Sequence, residues 1–258
     1  MYRSIPYRRL DMNEIKAMAT KESRHAPETH RIFLADADVM GRSFDEWREM
    51  LSLLNAAFPH LSRVNTYACG RSIMAKSELK LHALRNLKLH TLYMGLESGD
   101  EKVLQAVRKV DSAECMIKAG QMAQAAGLRI SVMILLGLGG KERSHEHARL
   151  TADALNRMQP KLLSALRVVP VPGTELHLQA NQGQFHPLTE HEAVQELREM
   201  IAQLDLQGTV FRANHNSNVV PLEGRFPRDK ARLLEYLDRL LSSRILNHQS
   251  PRPLPLWL

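Results

Sequence analysis

The feature that most constrains this chain is a recurrence. Short, almost continuously apolar runs alternate with amphipathic helical patterns at intervals of about 30 residues. The runs are RIFLAD from Arg31, RVNTYA from Arg63, TLYMGL from Thr91, RISVMILLG from Arg129, SALRVVPV from Ser164 and TVFRA from Thr209. Strands apolar on both faces belong to parallel sheets covered by helices, since a half-solvated strand would alternate polar and apolar residues. An α/β fold follows, with a barrel and a doubly wound sheet both open as its form.

The intervening segments supply the helices. Ser43 and Glu46 form a capping box ahead of Trp47, Met50, Leu51, Leu54 and Phe58, and Pro59 stops that helix. Ser77 to Leu87 is the next. A third follows Asp111, carries Met116, Ile117, Met122, Ala123 and Ala126 inward, and closes on Gly127. Ser144 to Met158, the helix capped by Thr189 and Glu192, and Pro227 to Leu246 complete the set. The pattern describes one domain over residues 1–246 with C-terminal helices, and a proline-rich extended tail at 247–258.

Composition removes several classes of function. No apolar run approaches the roughly 18 residues of a membrane span, and the opening MYRSIPYRRLDMNEIK lacks a signal-peptide core, so a cytoplasmic location with no membrane partner is expected. The net charge is +7, but Lys and Arg are scattered along helices without interleaved aromatics; nucleic acid is not indicated. The two cysteines, Cys69 and Cys115, lie far apart with no metal-ligand spacing and read as buried or idle thiols.

In parallel α/β folds ligands bind at the carboxyl ends of the strands. The first run delivers Asp36 and Asp38 there, the second Asn65, Thr66 and Tyr67, the third Glu97 and Ser98. The fourth brings Ser131 and the glycine-rich bend GLGGKE, the fifth the extended turn VVPVPG. Acidic groups, hydroxyls and glycines favour a ligand with hydroxyls and an amine over a phosphate. GLGGKE is not GxxxxGK[ST]. Glu97 could alternatively cap the helix that starts near Asp100. His145 and His147 sit two apart, off a common helix face, and make a poor metal pair.

The ordered series FLADADVM, VNTYACGRSI, LYMGLESGDEKVLQAVRK, ISVMILLGLGGKE, LRVVPVPGTEL and FRANHNSNVVPLEGRFPRDKARLL resembles the radical S-adenosylmethionine (radical SAM) superfamily, nearest to its Fe-S oxidoreductase and anaerobic coproporphyrinogen-oxidase-like branch. The resemblance, from about Arg31 to Leu234, implies a partial TIM-like (β/α)6 barrel, here lacking its first strand. It implies S-adenosylmethionine (SAM) as cofactor: Glu97 at the ribose with Ser98 beside it, Arg108 or Lys109 at the carboxylate, and Asp36 and Asp38 near the amine, where the family usually has Gly-Gly-Glu. Ser131 and Gly137 would line the adenosine, and Val169, Pro170 and Val171 the adenine; Tyr67 joins this cofactor-binding set. It also implies a [4Fe-4S] cluster on CxxxCxxC, which this chain lacks. Three cluster irons need soft anionic ligands, and two remote cysteines cannot provide them.

Three functions are weighed. One is a truncated radical SAM protein whose full-length relative would cleave SAM reductively, with an electron donor, to attack an unknown small-molecule or macromolecular substrate; the chain alone would be inactive. The second is a cluster-free relative acting as a SAM- or partner-binding module. The third is an unrelated barrel with a Schiff-base lysine, disfavoured because no lysine lies in the strand ends. Arg212, Asn214, His215 and Asn218 are candidate substrate contacts or parts of a loop bracing the last helix. The absent strand would leave an apolar edge beside RIFLAD, a liability for aggregation.

Overall fold

Parallel strands need long crossovers, and here nearly every crossover contains a helix that covers the sheet. The computed structural model describes residues 8–35 and 38–250. Its sheet runs β1 (Arg31–Leu34), β2 (Arg63–Tyr67), β3 (Leu89–Glu97), β4 (Arg129–Leu136), β5 (Leu162–Arg167) and β6 (Val210–Ala213), all parallel and adjacent in chain order. A short β7 (Leu222–Arg225) returns antiparallel to β6. All six expected runs form strands, in the order of a partial barrel. β1 forms one edge and pairs only with β2 among the described residues.

The helices are α1 (Met12–His25), α2 (Phe44–Ala57), α3 (Gly70–Met74), α4 (Glu78–Asn86), α5 (Glu101–Ala106), α6 (Ala113–Ala125), α7 (Gly140–Met158), α8 (Glu175–Asn181), α9 (Glu190–Gln203) and α10 (Lys230–Ser242). The Ser43–Glu46 and Thr189–Glu192 capping boxes form as read, and Asp11 with Glu14 makes another at α1. Three short helices, α3, α5 and α8, escape a periodicity reading because 5, 6 and 7 residues complete fewer than two turns. α7 begins at Gly140 rather than Ser144, directly from the bend after β4. There Lys141 donates its N–H to His186 O at 3.0 Å, satisfying one of the amides a helix start leaves open.

Alternation along the strands separates two faces. Val64, Leu92, Met94, Ile130, Val132 and Ile134 are fully buried and pack with Trp47, Leu51, Leu84, Met158 and Ile201 in one core. Removing that apolar area from water, at about 25 cal/mol per Å², is the main force holding helices to sheet. The other face presents Phe33, Asn65, Tyr67, Tyr93 and Arg129. Asp36 and residues 251–258, which hold most of the expected tail, lie outside the described residues.

Candidate functional site

β3 ends by pushing a carboxylate into the mouth of the sheet. Its register against β4 shifts between Gly95 and Glu97, and Glu97 takes φ 63°, a left-handed conformation that side-chain-bearing residues adopt at a cost. Lys109 Nζ donates to Gly95 O at 2.6 Å and to Glu97 Oε1 at 3.3 Å, fixing the carboxylate. Gly95 makes room, since a Cβ there would lie 2.1 Å from Glu97 Oε1. Glu97 does not cap α5; Asp100 does, accepting from Lys102 N at 2.9 Å.

The chain returns Lys109 to Glu97 through a Schellman turn. Lys109 N donates to Leu104 O and Arg108 N to Gln105 O, with Arg108 at φ 55° where glycine is usual. Arg108 itself points outward, 81% exposed, and meets Glu175 at 3.4 Å. Of the two basic residues, the fold brings Lys109 to Glu97 and leaves Arg108 at the rim.

Behind the carboxylate lies a buried polar chain. Ser98 Oγ accepts from Asp100 N at 2.9 Å and bonds His147 Nδ1 at 2.8 Å; His147 Nε2 faces Glu196 Oε1 at 3.8 Å without a hydrogen bond. Gly137 N donates to Glu196 Oε1 at 2.6 Å and Ser144 Oγ to Oε2 at 2.5 Å. Burial drives His147 down to about 4 and Glu196 up to about 7, so both favour their neutral forms. Asp100 in turn grips Arg143, with Oδ2 at 2.8 and 2.6 Å from Nε and the terminal nitrogen. The turns after β3 and β4, carrying Glu97 and Gly137, are thereby tied through α7 and α9. This network escaped the motif reading. Its signal was His147 in the stripe Ala148, Thr151, Leu155 and Glu196 in the stripe Ala193, Leu197, Met200.

The remaining candidates lie as follows. Asp38 Oδ1 accepts from Cys69 N at 3.2 Å, and its turn is clamped by buried Lys76, whose Nζ donates to Met40 O at 2.6 Å. Tyr67 ends β2, 42% exposed, in edge contact with Phe33. Ser131 sits opposite Tyr93 within the sheet, deeper than Glu97. Gly137 holds the β4 bend at φ 76°. Val169, Pro170 and Val171 form the loop after β5, where Thr174 Oγ1 donates to Val171 O at 2.6 Å. The register aligns Arg212 with Ser164, Met133 and Gly95. Asn214 and His215 are exposed after β6, whereas Asn218 is buried with Nδ2 donating to Ala165 O at 2.8 Å. That loop braces β5 as well, through Ser217 Oγ accepting from Arg167 N.

The cysteines do not assemble a cluster site. Cys69 precedes α3 and Cys115 lies in α6; burial pushes both thiols up, with Asp111 adding to the effect on each. Among the described residues no three His, Cys, Asp or Glu side chains converge as metal ligands. The residues present therefore do not fit a [4Fe-4S] cluster.

A family model described as the radical SAM superfamily matches residues 2–151. A tRNA uridine(34) acetyltransferase of Methanocaldococcus infernus is 24% identical over 120 residues, 46% of this chain and 22% of that protein. The archaeal Methanocaldococcus infernus Elp3 with an N-terminal deletion superposes with a TM-score of 0.60 at 16% identity, over 88% of this chain and 60% of that one. Methylornithine synthase gives 0.54 at 18% identity over 92% and 74%. Coproporphyrinogen III oxidase from Escherichia coli, a radical SAM enzyme, gives 0.56 at 15% over 74% and 44%. At these identities the structures share the fold.

Proposed function

The chain belongs to the radical SAM superfamily, and from that premise we propose that it binds S-adenosylmethionine at the carboxyl ends of β3 and β4, with Glu97 as the ribose ligand. The observation that carries the reading is the Glu97 carboxylate, delivered by a left-handed turn into the strand-end mouth and steadied by Lys109 over a glycine that leaves it space. Vicinal hydroxyls are donors that a carboxylate with several lone pairs can accept together, which offsets its partial burial. Asp38 offers an acceptor for the amine, Arg108 a rim cation for the carboxylate, and the loop at Val169 to Val171 an apolar flank for the adenine. In the family, SAM bound to a reduced [4Fe-4S] cluster supplies a 5′-deoxyadenosyl radical. With two cysteines this chain's own residues hold no such cluster, and we assign it SAM binding without radical generation.

Calorimetry with SAM tests the binding. Glu97→Ala should weaken it about 10-fold, the order of a lost charge-assisted hydrogen bond. Unchanged affinity would remove Glu97 from the site. Incubation with iron, sulfide, dithionite and SAM should release no 5′-deoxyadenosine, and its appearance would overturn the second half of the assignment. The cluster-free reading gains from both thiols being pushed up by burial, away from the thiolate form that binds iron.

A further inference from the structure

The open face of β1–β4 carries an arrangement that the SAM contacts proposed at Glu97, Asp38, Arg108 and Val169 to Val171 leave unused; it includes Tyr67, which the sequence groups with the cofactor-binding residues and which the structure sets against Phe33. Successive rows of the sheet, each about 7 Å beyond the last, can be followed through the register. Arg31 stands beside Arg63; two residues on, Phe33 aligns with Asn65, Thr91 and Arg129; two further on, Tyr67 aligns with Tyr93 and Ser131. Phe33 lies 5.0 Å from both Tyr67 and Tyr93, each edge-on, and Tyr67 lies 6.3 Å from Tyr93. Three rings thus form a cup on the open face, and Phe33 and Tyr67 remain 40% and 42% exposed.

Below the cup, at Arg31 and Arg63, and beside it, at Arg129, the charge is unpaired among the described residues. Among the described residues none of Arg31, Arg63 and Arg129 has a side-chain hydrogen bond or ion pair, although Arg63 Nε is buried. Neighbouring His90 is held below its usual value by burial and then by the charges of Arg129, Arg85 and Arg63, which places those charges together. Clustered guanidinium groups with no ion pair among the described residues attract an anion, and a partly desolvated one does so strongly. In the row shared by Phe33 and Arg129, Asn65 Oδ1 is buried with no hydrogen-bond partner among the described residues, an acceptor for an N–H.

We propose that this face binds a nucleoside phosphate, its base against Phe33, Tyr67 and Tyr93, its phosphate on Arg31, Arg63 and Arg129. A pentose bridges ring and phosphate over about the separation of one row to the next. Asn65 Oδ1 accepts from a base N–H, and stacking on the rings tolerates any base. The inference names a second ligand beneath the SAM position, and it rests on the SAM reading only for the statement that Glu97 lies above it.

The test is calorimetric titration of the 258-residue chain with guanosine 5′-monophosphate, guanosine, inorganic phosphate and 1-naphthoate. The monophosphate is expected to bind at least ~10-fold more tightly than each of the others, from combined phosphate and ring contacts. Arg63→Ala and Tyr93→Ala should each weaken it about 10-fold, with Arg63→Lys retaining part of the affinity and unchanged melting temperatures reporting intact folding. Saturating SAM should leave the monophosphate affinity unchanged. Absence of binding at millimolar concentration, equal affinity for guanosine, naphthoate binding as tightly as the monophosphate, or displacement by SAM would each overturn the proposal. SAM affinity, measured separately with Glu97→Ala, reports on the other reading, so the failure of one is distinguishable from the failure of the other.

Discussion

Two glycines in GLESGD serve different purposes, and substitution separates them. A Cβ at Gly95 would meet the tip of Glu97, a flexible side chain that can move aside. Gly95→Ala should therefore leave the melting temperature nearly unchanged while weakening SAM binding about 10-fold; a stable variant with normal affinity would separate Glu97 from the ligand. A Cβ at Gly99 would lie 2.1 Å from Leu150 O and 2.7 Å from Thr151 Cα, which are backbone of α7. Gly99→Ala should lower stability by about 3 kcal/mol in denaturant titration, as overpacking does. Arg108 gives the opposite sign. Its exposed ion pair with Glu175 is worth little, whereas its left-handed backbone opposes folding, so Arg108→Gly should stabilise by about 1 kcal/mol. The motif was legible in the sequence as a carboxylate before a helix. That Lys109 and not Arg108 reaches it was not, because the partner is set by a Schellman turn whose left-handed residue is an arginine.

At the scale of elements, α7 and α9 join through a contact whose ionisation sets a pH dependence. Glu196 rises from 4.5 to about 7 through burial, which outweighs the hydrogen bonds from Ser144 and Gly137; Glu199 adds to the rise. A carboxyl with a raised value favours the folded state while protonated. Its contribution is therefore full below about 4.5, declines as pH climbs and is lost above about 7. His147, lowered from 6.5 to about 4 by burial against the charge of Asp100, does the reverse: its contribution is full above 6.5 and is lost as pH falls toward 4. The two slopes oppose each other between about 4.5 and 6.5. Glu196→Gln can keep both hydrogen bonds and removes one slope, so the variant should gain on the parent by up to about 3 kcal/mol between pH 4.5 and 7.5 in chemical denaturation. A variant that instead loses stability at pH 7.5 would mean that the pair is ionised and mutually stabilising. Strands and long helices were legible because burial imposes their periods. This contact was not, because a single polar residue in an apolar stripe does not reveal which distant element it faces.

For the whole molecule, the sheet's layout decides how chains meet one another. β7 covers β6 at one end, but β1 pairs with β2 alone among the described residues and exposes the amide and carbonyl groups of its other edge. The alternation of apolar runs foretold a parallel sheet, and the resemblance, which implied a missing first strand, an edge beside RIFLAD; neither could foretell that Arg31 and Phe33 would share one face with Arg63 and Tyr67, since facing follows from register. Two forces then compete. Backbone pairing and the exposed ring of Phe33 favour association through β1, whereas a net charge of +7, with Arg31 on the edge strand itself, opposes it. The repulsion acts over a Debye length of about 10 Å at 0.1 M salt and about 3 Å at 1 M, while strand pairing and ring burial are barely screened. Salt should therefore promote self-association. Sedimentation velocity is expected to give monomer at low ionic strength and a growing oligomer fraction as salt rises, with Phe33→Lys monomeric throughout. Monomer at every salt concentration would show that the β1 edge is closed to pairing in solution.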